Sequence, residues 1–582
     1  MIKQHIAELI QQALSKLNIS SESQTIQIDA TKDAKFGDFS CNIALLLAKQ
    51  TQKKPRELAE LIVSALEASP KVAKVEIAGP GFINFFLAKT AFYQLIPEIL
   101  KAGDEYGKAE LGQGQKIIVE FVSSNPTGPL HVGHGRHAAY GASVCNLLEK
   151  IGYKVHREYY VNDAGRQMDI LTVSVWLRYL SLLGESIVFP ANAYQGDYVI
   201  NIAKLLVEKQ KKDLHTPAEK VFSGLPPDEP VGGDKEIYID AVIDRAKEIL
   251  GEKKYVAVLQ FTLENILADI REDLVEFGVS FDQWFSEREL VGTGVIDRLI
   301  ENLQKAGFIY ERNGALWFRS TDFDDEKDRV LQRANGQRTY FANDLAYHLN
   351  KFERGFDRAI TIAGSDHHGY VPRMKAGFKA LGLDANKLAF PLVQFVTLYR
   401  GGKQAQMSTR SGSFVTLREL REEVGKDAAR FFYVTRKCEQ HMDFDLDLAK
   451  SQSNENPVYY IQYAYARIAS VFRQLAEKNW VYAELIGLQH LELLTEPHEL
   501  QLLSTLARYS EVIRNAGTQY EPHQLTHYLR ELAQDFHGYY NSTQFLVEDE
   551  TLRNTRLTLI VATRQILFNG LTLLGVSAPD SM

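Results

Sequence analysis

The sequence predicts an α/β fold in three parts: a small N-terminal α/β domain, a central domain built on a parallel sheet, and a C-terminal all-α helical bundle. In the middle of the chain, short apolar runs typical of buried strands alternate with segments of helical period, as a parallel sheet requires. From about residue 455 onward, Leu, Tyr and Arg recur at helical spacing with few glycines or prolines. This pattern is typical of a separate helical bundle.

Length and composition agree with a folded protein of several domains. A chain of 582 residues is too long for one hydrophobic core, and 45% hydrophobic with 24% charged residues is ordinary for a globular protein. Because the formal net charge is -8, a nucleic-acid partner requires a local basic patch. The three cysteines, Cys41, Cys145 and Cys438, are far apart, so we expect no disulfide framework and no zinc. Without a signal peptide or a long apolar run, we expect a cytoplasmic protein with no membrane contact.

Residues 1–110 are predicted to form the small N-terminal domain. Its first segment reads as an amphipathic helix, and Ser40 is expected to cap a second helix running through CNIALLLAKQ. The segment VEIAGPGFINFFL predicts two strands joined by a Gly-Pro turn. The glycine-rich stretch KAGDEYGKAELGQGQ then predicts the linker to the next domain.

Residues 111–450 are predicted to form the parallel-sheet domain, and residues 451–582 the bundle. The strand candidates of the sheet are KIIVEFV, HREYYVND and AITIAG. Between about residues 180 and 300 the pattern loosens. There EKQKKDLHTPAEKVFSGLPPDEPVGGDK is rich in charge, proline and glycine, which predicts an exposed inserted loop.

The first candidate site is VEFVSSNPTGPLHVGHGR, residues 119–136, where a predicted strand leads through a loop into a helix. Open parallel sheets bind ligands at such places, and helix N-termini offer free N–H groups to phosphate. His131 and His134 share one helical face, and Gly133 between them lets a flat group approach the backbone. Two alternatives remain open: together with His137, these are plain surface histidines or metal ligands.

In this position HVGH resembles the HIGH signature of class I aminoacyl-tRNA synthetases. The resemblance implies a Rossmann-like catalytic domain in which His131, Gly133 and His134 bind ATP. It also implies that the two histidines are catalytic. They would stabilise the triphosphate while the α-phosphorus is attacked, acting as donors aimed at developing charge.

The segment QMSTRSG resembles KMSKS, the second class I signature, in a loop that closes over ATP. The resemblance implies three functional residues in this loop: Met407 and Ser408 for ATP binding, and Arg410 as the catalytic cation. Gln406 and Thr409 stand where the signature has lysines, and Gly128 stands where some arginyl-tRNA synthetases carry a compensating lysine. Lys403 is the alternative cation. An ordinary Ser/Thr/Gly surface loop is the alternative interpretation of the whole segment.

The third candidate is RTYFANDLAYHLNKF, residues 338–352. Recognition of a guanidinium group demands carboxylates, ideally in bidentate geometry. Tyr340 and Asp344, four residues apart, resemble the arginine pocket of arginyl-tRNA synthetases. The resemblance implies that Glu120 and Asp344 bind the guanidinium beside Tyr340. The residues implied for the amino and carboxylate ends of arginine are Ser123, Asn125 and Asp366.

The run GSDHHG follows the AITIA strand candidate and resembles the class I segment that lines ribose and adenine. Gly364 and His367 are therefore predicted to bind ATP. The alternative is a metal cluster, because Asp-His-His is a ligand-like run.

Both ends of the chain also resemble parts of arginyl-tRNA synthetases. FGDFSCNIALLLAK and AGPGFINFFL resemble the additional N-terminal domain, which implies contact with the tRNA elbow. VYYIQYAYARIASVFRQ opens a domain similar to the anticodon-binding module. Tyr459, Tyr463 and Arg467 are the predicted tRNA-binding residues, because aromatic rings stack on unpaired bases and arginine binds phosphate. The alternative is that the tyrosines form the bundle core.

Together the resemblances cover nearly the whole chain and imply an arginyl-tRNA synthetase. Arginine would attack ATP to form arginyl-adenylate, with Mg²⁺ bridging the phosphates, and tRNA(Arg) would then take the arginyl group. The family also suggests a monomer, and it suggests that tRNA must bind before activation. Two other interpretations remain: a class I synthetase for glutamate or cysteine, and a non-catalytic tRNA-binding paralogue.

Overall fold

The computed structural model describes residues 2–20, 24, 26–31, 34–405 and 415–582. It confirms the α/β class, with a small N-terminal sheet, a central parallel sheet and a C-terminal helical region. Separate hydrophobic clusters lie under the N-terminal sheet and around the central sheet, and one of the latter continues into the C-terminal helices.

The N-terminal part is a four-stranded antiparallel sheet in the order β1-β2-β4-β3, packed with three helices. Its elements are α1 (Ile2–Lys16), β1 (Ile28–Ala30), β2 (Phe39–Cys41), α2 (Ile43–Thr51), α3 (Pro55–Ala65), β3 (Val72–Ala78) and β4 (Phe82–Leu87). The amphipathic first helix is confirmed, because its apolar side chains at helical spacing are buried. The predicted cap is wrong: Ser40 lies within β2, paired with Asn84 of β4, and Asn42 precedes α2.

The central sheet has five parallel strands in the order β13-β11-β5-β6-β7. Two short helices, α4 (Lys89–Tyr93) and α5 (Leu95–Ala102), lead into it. Its strands are β5 (Lys116–Glu120), β6 (Lys154–Val161), β7 (Gln283–Ser286), β11 (Arg358–Thr361) and β13 (Leu388–Ala389). Because β5 pairs with β6 on one side and with the much later β11 on the other, the chain reverses direction across the sheet at β5. Such a switch point opens a crevice at the carboxyl ends of the strands.

Helices and short strands surround the central sheet. The helices are α6 (Val132–Lys150), α7 (Arg166–Leu182), α11 (Glu287–Gly292), α12 (Val295–Lys305), α13 (Tyr340–Glu353), α14 (Tyr370–Ala380), α15 (Leu417–Val424), α16 (Lys426–Tyr433) and α17 (Leu446–Lys450). The other strands are β8 (Ile309–Arg312), β9 (Ala315–Phe318), β10 (Arg329–Gln332), β12 (Ala363–Gly364), β14 (Leu392–Val393), β15 (Val396–Arg400), β16 (Lys403–Gln404) and β17 (Met442–Asp445). These strands form small sheets at the margins of the central one.

The inserted region is mostly helical, but its charged segment, residues 208–235, is largely turn and loop with most of its residues exposed, as predicted. It contains α8 (Asp197–Gln210), α9 (Ala218–Phe222) and α10 (Lys235–Glu276). The 42-residue α10 is interrupted at Gly251, where φ is 67°. Ile239, Val242, Ile243 and Ala246 are buried at helical spacing, so an amphipathic period exists behind the charged residues. The charged segment connects α8 to α10 across the surface and carries the short α9.

The C-terminal bundle consists of α18 (Pro457–Glu477), α19 (Glu484–Gln489), α20 (Pro497–Ala507), α21 (Tyr509–Gln519), α22 (His523–Ser542) and α23 (Glu550–Leu574). Among the described residues, α23 alone is long and apolar enough to cross a membrane. Within its most apolar window 67% of the residues are buried inside the protein, as in the core helix of a bundle. Both α21 and α23 also pack against α6 of the central domain.

Candidate active site

The loop that leaves β5 is strained and lies at the switch point of the sheet. Val122 and Ser123 have φ values of 67° and 40°, which is rare for any residue with a side chain and most unusual for a β-branched one. Hydrogen bonds to β6 hold the loop: Ser123 Oγ accepts from the Tyr160 amide at 3.1 Å. Backbone strain of this kind concentrates at functional sites.

The loop ends in a pair of stacked histidines at the start of α6. His131 caps the helix: its Nδ1 accepts from the Gly133 amide at 3.1 Å, and its own amide donates to His134 Nδ1 at 3.3 Å. The two ring centroids are 3.6 Å apart. Because both Nδ1 atoms accept, each neutral ring carries its proton on Nε2. Burial lowers the pKa of both imidazoles, so both are neutral donors at pH 7.

Gly133 leaves the space that the histidine pair needs. A Cβ atom at this position would lie 2.9 Å from Cε1 of His131, closer than real contacts allow. A side chain here would therefore push the His131 ring out of the stack. The sequence predicted that this space admits a flat ligand group; in the structure the His131 ring lies against it.

A cavity of about 690 Å³ lies beside the histidine pair. His131 and His134 form one wall with Asn125, and Tyr194 and Tyr198 of the inserted region form the other. The Tyr198 hydroxyl donates to the Thr127 carbonyl at 2.6 Å and so fastens the insertion to the loop. This volume is within the range of nucleotide and drug-sized ligand sites.

A second cavity, of about 200 Å³, lies over the carboxyl ends of β5 and β11. It brings together three of the predicted arginine-binding residues, Glu120, Ser123 and Asp344. Gly364 and His367, predicted to bind ATP, also line it. The other walls are largely aromatic and include Tyr160, Tyr347 and Tyr370. We call this space the arginine cavity, because it unites three of the six residues predicted to bind arginine, among them both predicted guanidinium partners, Glu120 and Asp344.

The carboxyl group of Asp344 has a raised pKa. Burial is the main reason that its pKa is raised to about 7; the Tyr370 hydroxyl lowers it, and the carboxylates of Glu120 and Glu287 raise it. Among the described residues Asp344 forms no ion pair. A buried carboxylate of this kind favours a cationic ligand, because the ligand offsets the cost of ionisation.

Glu120 differs from Asp344 because a lysine already neutralises it. Lys351 Nζ lies 2.6 Å from Glu120 Oε2, and the ammonium group is fully buried. Thr361 also donates to this oxygen, at 3.2 Å. The lysine was not identified from the sequence. The signal was its position two turns after Asp344, on the same face of a helix.

A further carboxylate near Asp344 was also missed. Glu287 follows β7 directly and is 7% exposed. Burial raises its pKa, and Asn343 donates to it at 3.4 Å. An acidic residue at the carboxyl end of a predicted parallel strand was the signal in the sequence.

Several predicted residues do not line either cavity in this structure. Tyr340 is the first residue of α13 and is 76% exposed, whereas Asp344 lies one turn further in. Asp366 is exposed and lies 3.8 Å from His367. Met407, Ser408 and Arg410 fall outside the described residues. Among those that the structure does describe, no group of His, Cys, Asp or Glu side chains is arranged to hold a metal ion.

The predicted tRNA-binding residues form one cluster on α18. Tyr459 and Tyr463 stack with ring centroids 5.9 Å apart, and the Arg467 guanidinium lies 4.4 Å from the ring of Tyr463. All three are half-buried, whereas Tyr465 is 7% exposed. The core interpretation therefore fits Tyr465, and the cluster presents partly open aromatic faces.

Comparisons with known proteins cover the whole chain. Three family models match: the arginyl tRNA synthetase N terminal domain over residues 4–87, the class I (R) tRNA synthetase catalytic domain over residues 95–180 and 248–445, and the DALR anticodon binding domain over residues 461–582. The chain is 60% identical to the arginine--tRNA ligase of Thioalkalivibrio sulfidiphilus (strain HL-EbGR7) over 586 residues, covering 100% of both chains. It is 58% identical to the arginine--tRNA ligase of Legionella pneumophila (strain Corby), again with 100% of both covered.

A solved structure shows the same fold. The Thermus thermophilus arginyl-tRNA synthetase superposes with a TM-score of 0.75 at 22% identity, covering 100% of both chains. At that identity the likeness concerns the fold alone, whereas the relatives at 58–60% identity concern the whole sequence. On this sequence identity, and on the three family matches in the expected order, the chain belongs to the arginyl-tRNA synthetase family.

Proposed function

We propose that the protein is an arginine--tRNA ligase. It uses ATP to activate L-arginine as arginyl-adenylate and transfers the arginyl group to the 3′ end of tRNA(Arg), releasing AMP and pyrophosphate. The observation that carries the proposal is the pairing of two features at the switch point of the sheet: neutral histidine donors at the start of α6, and a cavity with the Asp344 carboxylate of α13, which has no ion pair among the described residues. A triphosphate needs the first feature and a guanidinium needs the second.

The arginine side chain enters the arginine cavity and places its guanidinium against Asp344. Ion pairing then lowers the pKa of this carboxyl, because a nearby cation favours the ionised form. Glu287 is the second acidic group within range, and the tyrosine rings pack against the planar group. Ser123 and Asn125 stand on the loop toward the histidines, where the amino and carboxylate ends of the substrate must lie.

Two residues predicted to bind arginine need a different position to take part. The side chain of Tyr340 must rotate from its exposed place to reach the substrate, and Asp366 must turn inward in the same way. Their assignment rests on the resemblance of the sequence.

ATP binds in the larger cavity with its triphosphate against the Nε2–H groups of His131 and His134. These donors stabilise the charge that develops as the arginine carboxylate attacks the α-phosphorus and pyrophosphate leaves. Mg²⁺ would come with ATP as part of the substrate and would offset the charge of its phosphates. Gly364 and His367, which line the arginine cavity, are assigned to the ribose and base, and Arg410, Met407 and Ser408 of the KMSKS-like loop are assigned to the ATP site by resemblance.

The flanking parts bind the tRNA. Residues 451–582 hold the anticodon region through Tyr459, Tyr463 and Arg467, and residues 1–110 contact the elbow. The enzyme acts as a cytoplasmic monomer. The matches to the arginyl tRNA synthetase N terminal domain and to the DALR anticodon binding domain, with the partly open aromatic cluster on α18, support the assignment of tRNA binding to the flanking parts.

Charging of tRNA by the purified protein tests the proposal. We expect attachment of labelled arginine to tRNA(Arg), and no attachment of glutamate or cysteine. His134→Ala should lower kcat by about 100-fold or more, because a lost donor to a developing anion costs that much. His498→Ala, a change at an exposed histidine in α20, serves as the matched control.

Two outcomes would contradict the proposal. A protein that binds tRNA but charges no amino acid would be the non-catalytic paralogue. A protein that charges glutamate or cysteine in place of arginine would be a different class I synthetase.

A further inference from the structure

Three polar side chains stand in a row at the carboxyl edge of the central sheet. In register, Thr361 of β11 pairs with Glu120 of β5, and Glu120 pairs with Glu158 of β6. Paired positions on neighbouring parallel strands point to the same face of a sheet. Two buried glutamates therefore lie side by side, and each needs a cation or it must give up its charge.

Helix α13 and the residue that caps its end supply the two cations, about one turn apart. Arg354 binds Glu158, with Nη2 donating to Oε1 at 2.8 Å. Lys351 binds Glu120 at 2.6 Å and also donates to Thr361 Oγ1 at 3.0 Å. Its ammonium group lies 4.3 Å from the centroid of the Tyr347 ring. Lys351 is 0% exposed, so these partners replace all of its water.

The consequence is an asymmetry between the two carboxylates that line the arginine cavity. Glu120 is neutralised by Lys351, whereas Asp344 has no cation of its own among the described residues. The titratable groups that face Asp344 come from five elements: Glu120 on β5, Tyr160 on β6, Glu287 on α11, Lys351 on α13 itself, and the Tyr370 hydroxyl on α14. The charges of Glu120 and Lys351 cancel at short range.

We propose that Lys351 is a positioning residue that sets the charge of the arginine cavity: by holding Glu120 in an ion pair, it reserves Asp344 as the partner of the substrate guanidinium. This inference rests on the proposed function and gives Glu120 an indirect role in place of direct contact with arginine. The pair cancels the charge of Glu120, so that Asp344, with Glu287 near it, faces the guanidinium.

Removal of Lys351 should raise the pKa of Asp344, and removal of Glu120 should lower it. Without Lys351, the unpaired Glu120 lies beside Asp344. Because like charges repel, this pair of carboxyl groups loses its protons only at a higher pH. Without Glu120, the unpaired Lys351 cation faces Asp344, keeps it ionised to lower pH, and competes with the guanidinium. Without both, the opposed charges are removed together and Asp344 returns close to its original surroundings.

The test is the dissociation constant of L-arginine, measured by calorimetry from about pH 5 to about pH 9, a range that brackets carboxyl titration at a raised pKa. The proteins are the wild type, Lys351→Met, Glu120→Gln and the double variant. We expect arginine affinity to fall on the acid side, at a pH about one unit higher in K351M and about one unit lower in E120Q than in the wild type. E120Q should also bind about tenfold more weakly at its optimum, and the double variant should return to within about half a pH unit of the wild type.

Arg354→Met is the matched control, because it removes the cation at the end of α13 that pairs with the neighbouring glutamate, Glu158. This variant should lose arginine affinity at the same acidic pH as the wild type. The inference is overturned if the pH at which arginine affinity falls shifts in the same direction in K351M and E120Q. It is also overturned if that pH stays fixed while the affinity itself falls, because both results would mean a purely structural role. If K351M fails to fold by thermal unfolding, E120Q and the charge-neutral double variant decide the question through the same comparison.

The outcomes separate this inference from the proposed function. A wild-type protein that neither binds arginine nor charges tRNA contradicts the proposed function. A wild-type protein that binds and charges arginine, with variants that fail to shift in opposite directions, contradicts the role of Lys351 alone.

Discussion

Asp344 connects the charge of the arginine cavity to the stability of the fold. An aspartate in the unfolded chain titrates near pH 3.9, whereas burial raises the pKa of Asp344 in the folded protein to about 7. The folded state therefore binds the proton more tightly than the unfolded state. The resulting stability is fully present below about pH 4 and is lost as the pH rises through about 7.

Asp344→Asn should uncouple these two properties. Asparagine carries no charge to bury, so the variant should be stabilised relative to the wild type as the pH rises. The difference in unfolding free energy between variant and wild type should be about 2 to 3 kcal/mol larger at pH 8 than at pH 5. The same change should abolish measurable arginine binding. Denaturant titration at both pH values and calorimetry with arginine check these effects. A variant that gains nothing at pH 8, or that still binds arginine with wild-type affinity, contradicts the assignment.

The sequence could predict Glu120, Ser123 and Asp344 but not their electrostatic roles. Each was identified by resemblance, and the structure places all three on one cavity. That Glu120 is already neutralised depends on Lys351, an ordinary charged residue in the sequence of a helix. A lysine at helical spacing more often faces solvent, so nothing local marks it as buried.

At the scale of elements, the start of α6 is where backbone geometry serves chemistry. The cap, the stacked histidines and Gly133 form one unit that depends on a missing side chain. Local pattern was sufficient here, because a strand, a Pro/Gly loop and a helix start follow one another in sequence.

Gly133→Ala tests this unit. Alanine favours a helix by up to about 1 kcal/mol over glycine, so stability should hold or rise. Its Cβ would displace the His131 ring, and kcat for tRNA charging should fall by about tenfold or more. Arginine affinity should not change, because Gly133 does not line the arginine cavity. Charging kinetics and thermal unfolding measure these effects. A kcat within twofold of the wild type would contradict the role of Gly133 in placing the His131 ring.

Helix α13 shows what a single periodicity can hide. Asp344, Tyr347, His348 and Lys351 follow the spacing of one helical face, and this face is turned toward the sheet and the cavity. Polar residues at this spacing normally indicate the solvent side of a helix. Only the pairing of β5, β6 and β11 reveals why the polar face is buried.

At the scale of the whole molecule, one buried arginine joins three parts of the chain. Arg430 of α16 donates to the Leu574 carbonyl at the end of α23, and to the carbonyls of Phe277 and Gly278 after α10. Burial lowers the pKa of this guanidinium to about 10, so it remains charged at pH 7. The Arg430 side chain thus links the catalytic domain, the insertion and the bundle through hydrogen bonds.

Arg430→Met should destabilise the whole protein by about 3 to 5 kcal/mol, because three buried carbonyls lose their donor. The control is Arg473→Met, since Arg473 makes one exposed bond to the Asp580 carbonyl and its loss should cost about 0.5 kcal/mol or less. Urea denaturation gives both values. Equal stability of the two variants would show that Arg430 is no shared anchor.

The cluster on α18 carries the prediction for tRNA. Tyr463→Ala should raise KM for tRNA(Arg) by about tenfold, since one base–aromatic stack contributes about 1 to 3 kcal/mol. Arginine affinity should stay unchanged, because the cluster does not line the arginine cavity. Tyr465→Phe, which keeps a buried ring, is the control. A variant with normal KM for tRNA but a lower kcat would place the function of Tyr463 elsewhere.

The sequence by itself determined the fold class, the histidine start of α6 and the family, because each depends on residues close together along the chain or on resemblance over its length. The tertiary structure alone decided which carboxylates of the arginine cavity are neutralised, that Glu287 stands near it, and that Tyr340 is exposed. The physical reason is that charge compensation is short-ranged in space, and strand register and helix packing bring distant segments into that range.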